Sequence, residues 1–270
     1  MAHPITSSPS RSTNSSSHAY DAISSAYDVS VSPNAWMRNF LWEKYLDCFL
    51  PGDHILDIAC GTGIDALHLA RNQICVTGID HSFGMLTQLA QKGITESKHI
   101  HVNTIVADFS HLPFPKQPFF DGAISSFAGL NTATNLASFV EGISALLKPG
   151  GHLFIHMLNR FCVWEWLALL AHGRWQEAVK YPTRLTFTVS IAGIDVPHYL
   201  YSPSETYYQY FVQDFELFKS YGLGSLRPHT HIRYIPFWLV RYLEHWEKRV
   251  NTLPILRDWG DFFLLHLVKR

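Results

Sequence analysis

Residues Ile55 to Asp65 read ILDIACGTGID. Apolar residues run straight into an aspartate, Asp57, and a turn of small residues follows at once, A-C-G-T-G. An apolar run of this length reads as a buried strand. Gly61 and Gly63 allow a tight turn and a close approach of backbone to a ligand. The helix that follows presents free N–H groups and the positive end of its dipole. In a parallel α/β sheet, ligands sit at the carboxyl ends of the strands. This stretch therefore marks a pocket.

Strand and helix alternate outward from that turn. HILDIA is a strand and GIDALHLARN a helix, then CVTGID a strand and SFGMLTQLAQKG a helix. IHVNTIVAD, FDGAISSF and GHLFIHML continue as strands, with a helix at NLASFVEGISALL. The strands are near-continuous apolar runs, as expected for burial on both faces. The pattern predicts an α/β fold, a parallel sheet with helices on both faces. Upstream, a short helix is expected around 19–28, a break at Pro33 and a second helix over about 35–49, ended by PGD. After Asn159 the rhythm changes. RLTFTVSIAGIDVPHYLYS predicts a hairpin turning near Gly193. PSETYYQYFVQDFELFKSYG reads as a helix closing at Gly222. PFWLVRYLEHWEKRV predicts an amphipathic helix with Phe237, Val240, Leu243 and Trp246 near one stripe, and DFFLLHLVK a final strand.

These elements divide the 270 residues into a disordered Ser-rich tail (1–18), an N-terminal helical cap (19–50), an α/β core (51–159), a substrate-covering insertion or lid (160–222), and a C-terminal helix with the last strands (223–270). The tail lacks the apolar surface to order itself and the apolar core of a signal peptide. No apolar run reaches bilayer-crossing length, so no stable membrane insertion is expected. The formal net charge of −1 provides no basic field for a phosphate backbone. Nucleic acid is therefore not the expected partner. Cys48, Cys60, Cys75 and Cys162 form no C-x-x-C pair and no metal spacing, and read as free thiols of a reducing, cytoplasmic setting. His229 and His231 would share one face of a strand and read as a surface pair.

Two ligand classes use a glycine turn of this kind. GTGIDA fits the dinucleotide pattern G-x-G-x-x-A, with Asp80 at ribose-binding distance, which would make the chain a nicotinamide-dependent oxidoreductase. A carboxylate at Asp57 sits badly beside a diphosphate but suits a cationic ammonium, as found in S-adenosylmethionine. ILDIACGTG resembles the first signature of class I S-adenosylmethionine-dependent methyltransferases, with Ala59 replacing its first glycine. VTGIDHSFGML, VADFSHLPF, FDGAISSFAGLN and LLKPGGHLFI resemble the later signatures in order. AYDAISSAYD resembles the opening of many small-molecule members. The resemblance covers roughly residues 19–158. It implies S-adenosylmethionine as cofactor and a Rossmann-like, seven-stranded, mostly parallel sheet in the order 3-2-1-4-5-7-6 with the last strand antiparallel and a substrate-covering insertion after strand five.

The same resemblance implies roles residue by residue. Asp80 would hold the ribose hydroxyls, His81 and Met85 the adenine face, and Asp108 with the Phe109 backbone N–H the adenine edge. Asp57, Ala59, Gly61 and Thr62 would line the methionine end, Ser126 would lie near the sulfonium, and Tyr20 would close over the carboxylate. Structural duties compete at several positions: a helix N-cap for Asp80, core packing for His81 and Met85, a strand-end cap for Asp108. Methyl transfer needs a base only when the acceptor loses a proton. His156, near the carboxyl end of strand five, is the first candidate, then His198 and the Tyr199–Tyr201 pair. A histidine bonded to nearby backbone is the alternative at 156.

The acceptor is expected to be a small molecule. The fourth strand ends in SSFA rather than the N/D-P-P-Y/F of amide and adenine methylation. ISSFAGLN resembles quinone-biosynthesis members, which makes aromatic or lipophilic O- or C-acceptors the first expectation. Dense aromatics between Phe161 and Phe211 supply material for an apolar lid. A methyltransferase-like protein with a non-methylating reaction or a binding role remains an alternative, because fold does not fix function.

Overall fold

The computed structural model describes residues 10–96, 102–228 and 235–270; His229 and His231 lie outside the described residues. In chain order the elements are α1 (Ser10–Ile23), α2 (Tyr27–Val31), α3 (Ala35–Leu46), β1 (His54–Ile58), α4 (Ile64–Arg71), β2 (Cys75–Asp80), α5 (Phe83–Glu96), β3 (Val102–Val106), β4 (Phe120–Ser125), α6 (Leu136–Leu146) and β5 (Leu147–Leu158). They continue as α7 (Val163–Ala171), α8 (Trp175–Lys180), β6 (Thr186–Ile191), β7 (Ile194–Tyr199), α9 (Pro203–Thr206), β8 (Phe215–Leu223), α10 (Phe237–Val250) and β9 (Phe262–Lys269).

Seven strands form one sheet in the order β3-β2-β1-β4-β5-β9-β8, the order that the sequence resemblance implies. Leu56 lies level with Thr77 on one side and Ala123 on the other, all parallel. β9 runs antiparallel between β5 and β8. Successive side chains point to opposite faces, so each strand serves two cores. Ile55 and Phe154 pack with Leu41 and Tyr45 of α3 and Ala66 and Leu69 of α4. Leu56, Leu153 and Ile155 pack with Phe139, Val140 and Ile143 of α6. β6 and β7 make a separate hairpin, which turns at Ala192–Gly193 as its left-handed φ values require.

Three local expectations are corrected. The tail is helical from Ser10 onward, and α1 packs against α5 and the β7 hairpin strand. That partner surface orders residues whose own composition could not. The segment 203–222 is not one helix. α9 and a π-helical turn over Tyr207–Phe211 give way to β8, so the main sheet reclaims residues 215–222 from the expected insertion. Pairing with β9 over Phe215–Leu223 outweighs the helix-like composition. Gly222 is a crowded strand position, where a Cβ would lie 2.6 Å from the Arg257 Cα and the Leu256 carbonyl. In α10, Val240 and Leu243 are half-buried but Trp246 is exposed. The buried residue of that turn is Glu247, whose carboxylate accepts the backbone N–H groups of Gly224, Ser225, Leu226 and Arg227.

Gly122 in β4 faces the Phe49 ring, and a Cβ there would lie 2.8 Å from the His152 carbonyl oxygen. Overpacking of this kind costs about 1–3 kcal/mol. Gly122→Ala is expected to lower the unfolding free energy by about that amount, read as a lower urea midpoint with an unchanged m-value. An unchanged midpoint would contradict this packing.

Candidate active site

β1 delivers the chain into its turn in a left-handed backbone. Ala59 has φ 55°, Gly61 φ 55° and Gly63 φ 76°. Glycine adopts this conformation freely, whereas an L-residue pays about 1–2 kcal/mol. The Ala59 methyl is admitted because residue 129 is glycine: a Cβ at Gly129 would sit 2.6 Å from it. Gly63 has no such room, since the Leu89 side chain of α5 occupies the space of its Cβ. The turn is tied back by the Cys60 N–H, which donates to the Ile79 carbonyl at 3.0 Å.

A partly open cavity lies at the carboxyl ends of β1, β2 and β4, where a parallel α/β sheet holds its ligands. Of the residues named from sequence, Tyr20, Ala59, Gly61, Asp80, His81, Met85, Phe109 and Ser126 line it together. The Asp80 Oδ2 accepts the Gly61 N–H and its Oδ1 accepts the Ser82 N–H, both at 2.8 Å. Burial pushes this carboxyl above its usual range, while His81 and the surrounding N–H donors pull it back. Asp80 is not the N-cap of α5: Ser82 takes that duty, its Oγ accepting the Met85 N–H at 3.1 Å, and Asp80 bridges the two turns while lining the cavity. Ser126 shares a hydrogen bond with the Tyr45 hydroxyl at 2.9 Å, and the Tyr20 ring meets His81 edge-on.

Other named residues lie elsewhere. Asp57 is buried behind the turn; the Ala66 N–H donates to it, and its Oδ2 has no partner. Burial raises its pKa well above the ordinary value, with Asp65 adding to the effect. Thr62 is buried away from the cavity and donates its hydroxyl to Asp28. Asp108 caps its own strand end by accepting the Ser110 N–H at 2.8 Å. His156 does not line the cavity. It is buried, accepts the Phe127 N–H on Nδ1 at 3.1 Å and stacks on Phe262. Desolvation, with the Arg38 charge adding, lowers its pKa to about 3. His198 is likewise buried, with Nδ1 against the Val196 carbonyl. Tyr199 and Tyr201 are outside the lining. The insertion's aromatics pack largely among themselves, Phe161 against Trp166 and Tyr181, or into the α6 core, as Tyr207 and Phe211 do.

Four lining residues escaped the sequence reading: Tyr27, Phe127, Gly129 and Thr132. Tyr27 was within sight, since the Tyr-Asp pair at 20–21 recurs at 27–28. The structure shows why. Each tyrosine lines the cavity while each aspartate fastens the helices that carry it. Asp21 accepts the Ser82 hydroxyl at 2.6 Å and the Gly84 N–H at 2.7 Å. Asp28 takes the Thr62 hydroxyl and the Lys92 ammonium, both at 2.5 Å. Phe127 and Ala128 carry left-handed φ values of 51° and 65°. The His156 imidazole and carbonyl hold their N–H groups, and the Arg38 guanidinium lies 4.1 Å over the Phe127 ring. Asn131 ties the next turn to the insertion, bonding the Tyr199 carbonyl at 2.6 Å and the Leu158 backbone.

Comparison with known proteins agrees with this geometry. The chain is 31% identical over 139 residues to a demethylmenaquinone methyltransferase of Corynebacterium kroppenstedtii, covering 50% of this chain and 56% of that one. It is 31% identical over 119 residues to a ubiquinone biosynthesis O-methyltransferase of Coxiella burnetii, covering 43% and 49%. The chain thus spans about half the length of these relatives. A solved complex of DhpI with SAH superposes with a TM-score of 0.61 at 13% identity, covering 96% of this chain and 98% of that one; this likeness concerns the fold. Residues 55–151 match the family described as a methyltransferase domain. That match, the sheet order 3-2-1-4-5-7-6 and the cavity over the first two strands agree with the resemblance of the sequence to class I S-adenosylmethionine-dependent methyltransferases.

Proposed function

We propose that the protein transfers the methyl group of S-adenosylmethionine to a small aromatic or lipophilic acceptor. The observation that carries this reading is the cavity itself. Its floor is the strained β1 turn, its wall the Asp80 carboxylate, and its roof two tyrosines fastened by neighbouring aspartates. The residues present fit the cofactor. Asp80 is placed to take ribose hydroxyls, and His81, Met85 and Phe109 offer a flat apolar slot for adenine. The unpartnered Asp57 Oδ2 and Ser125 Oγ supply polarity behind the turn toward the charged amino-acid end. The Asp80 carboxyl in the cavity wall suits a ligand with ribose hydroxyls and positive charge and not a diphosphate.

When bound, the cofactor supplies an activated methyl group and its own leaving group. The chain's task is then to orient the acceptor and exclude water. Phe127, Gly129, Thr132 and Tyr27 form the remaining, mostly apolar part of the lining. That surface suits a flat, lipophilic acceptor, in keeping with the quinone-pathway names of the two relatives. His156 serves as a positioning residue that pins the Phe127–Ala128 turn, and not as a general base. Among the described residues, no helix is long and apolar enough to cross a membrane.

S-adenosylhomocysteine is expected to stabilise the protein in a thermal-shift titration, and NAD is not. Asp80→Ala should weaken that binding by ten-fold or more, about 1.4 kcal/mol. Stabilisation by NAD alone would replace the proposal with an oxidoreductase. Asp21→Asn combined with Asp28→Asn removes charge-assisted bonds that hold the roof, each worth about 1.5–3 kcal/mol. The cofactor KM should rise at least ten-fold, with kcat less affected. An unchanged KM would show that the roof does not depend on these bonds.

His156 also makes a pH-dependent contribution with a definite sign. The unfolded imidazole takes up a proton near the ordinary value of 6.5, but the folded one only near 3. The unfolded state thus binds more protons in that window, and stability falls as pH drops from about 6.5 toward 3. His156→Gln should flatten this part of the stability curve while leaving the shape of the kcat–pH profile unchanged. A lost limb in that profile would reinstate His156 as the base.

A further inference from the structure

We propose that Cys48, His152 and His266 form a site for a divalent cation of zinc type, at the end of the sheet remote from the cofactor cavity. Their donor atoms, one from each side chain, all lie within 4.8 Å of one another. The His152 Nδ1 and His266 Nε2 are 2.8 Å apart, and the Cys48 Sγ is 3.8 Å from the same His266 nitrogen. In sequence the ligands are 104 and 114 residues apart, so no motif spacing announces them. The fold brings them together. Phe154 of β5 stands opposite His266 of β9. His152 lies two residues before Phe154 and therefore on the same sheet face. The segment after α3 then lays Cys48 over that face.

The donor set is right for the ion. One thiolate and two imidazoles are borderline ligands suited to zinc, and three protein ligands leave a fourth position for water. Bond lengths of about 2.0–2.1 Å to nitrogen and 2.3 Å to sulfur place tetrahedral ligand atoms about 3.3–3.6 Å apart. The two nitrogens need to part by about half an ångström, and the thiol to close by a similar distance or less toward His266. The His266 ring is fixed for this role. It is buried, stacks on Phe154 at 4.1 Å and is flanked by Phe218 at 4.6 Å. Cys48 and His152 are half-buried, which leaves an approach for the ion.

The proton balance is explicit. In the structure, one imidazole donates to the other across the 2.8 Å contact. On binding, that ring carries its proton on its remote nitrogen, both facing lone pairs turn to the metal, and the Cys48 thiol releases one proton. The surrounding charge is mixed. Asp47 and Asp53 bring negative charge near Cys48 and His152. Lys44 and Lys219 act on His266, but the Lys44 ammonium is held by Asp47 at 2.5 Å. The ion would staple the end of the α3 segment to the β5–β9 pair, independently of the methyl-transfer chemistry.

The test uses metal-stripped full-length protein titrated with Co²⁺ under a non-chelating reductant. One equivalent should bind saturably, with thiolate-to-cobalt charge-transfer absorption and the visible bands of a tetrahedral ion, and Zn²⁺ should displace it. Cys48→Ala should abolish the charge-transfer band and weaken binding more than about ten-fold. Cys75→Ala, which alters an exposed cysteine outside the cluster, should leave both unchanged. His152→Gln, at a half-buried position, should weaken binding while circular dichroism shows an intact fold. Absence of saturable binding by the wild type, or an unchanged spectrum in Cys48→Ala, would overturn the proposal.

Discussion

The Asp80 carboxylate accepts the Gly61 N–H through one oxygen and the Ser82 N–H through the other. One side chain at the end of β2 thereby fixes the turn after β1 and the start of α5 in a single arrangement. Both turns leave adjacent strands, so the bond pair sets how far apart the two lips of the cavity stand. The roof depends on the same place. Asp21 closes onto Ser82 and Gly84, the segment that Asp80 has already positioned. If this bridge were lost, the floor, the wall and the attachment point of the roof would loosen together.

Strain gathers around the same cavity. Ala59, Phe127 and Ala128 are three of the six described non-glycine residues with positive φ. Each needs support from outside its own turn, as strained functional segments generally do. For Ala59 the support is vacant space, granted by the glycine at 129. For Phe127 and Ala128 it is the backbone and ring of His156. A buried, neutral imidazole suits that work, since it accepts an N–H without bringing a charge into the core.

How far the sequence could be read follows from which forces are local. The apolar strands, the glycine turn and the alternation with helices follow from local periodicity and turn chemistry. They carried the sheet order once the signatures were seen in sequence. Eight of the named site residues do converge on one cavity. The failures are tertiary. β8 looks helical until β9 supplies its hydrogen-bond partners, and the serine-rich start of α1 looks disordered until α5 and the β7 hairpin strand supply a surface. Thr62 and Asp57 sit beside the turn in sequence, yet their side chains turn to Asp28 and to the Ala66 N–H. His156 was placed correctly on its strand, but nothing in a single sequence tells which neighbour a buried imidazole will serve. Tyr27 was the one recoverable omission, through the repeated Tyr-Asp pair.

The position of β9 bears on how the molecule comes into being. It inserts between β5 and β8, although β8 precedes it along the chain by about forty residues. As the polypeptide leaves the ribosome, β5 therefore waits with one flank bare, and β8 has no place to dock. An unpaired edge of this kind invites association with other chains. The β9 residues act as the keystone of the sheet: without them β5 and β8 share no partner.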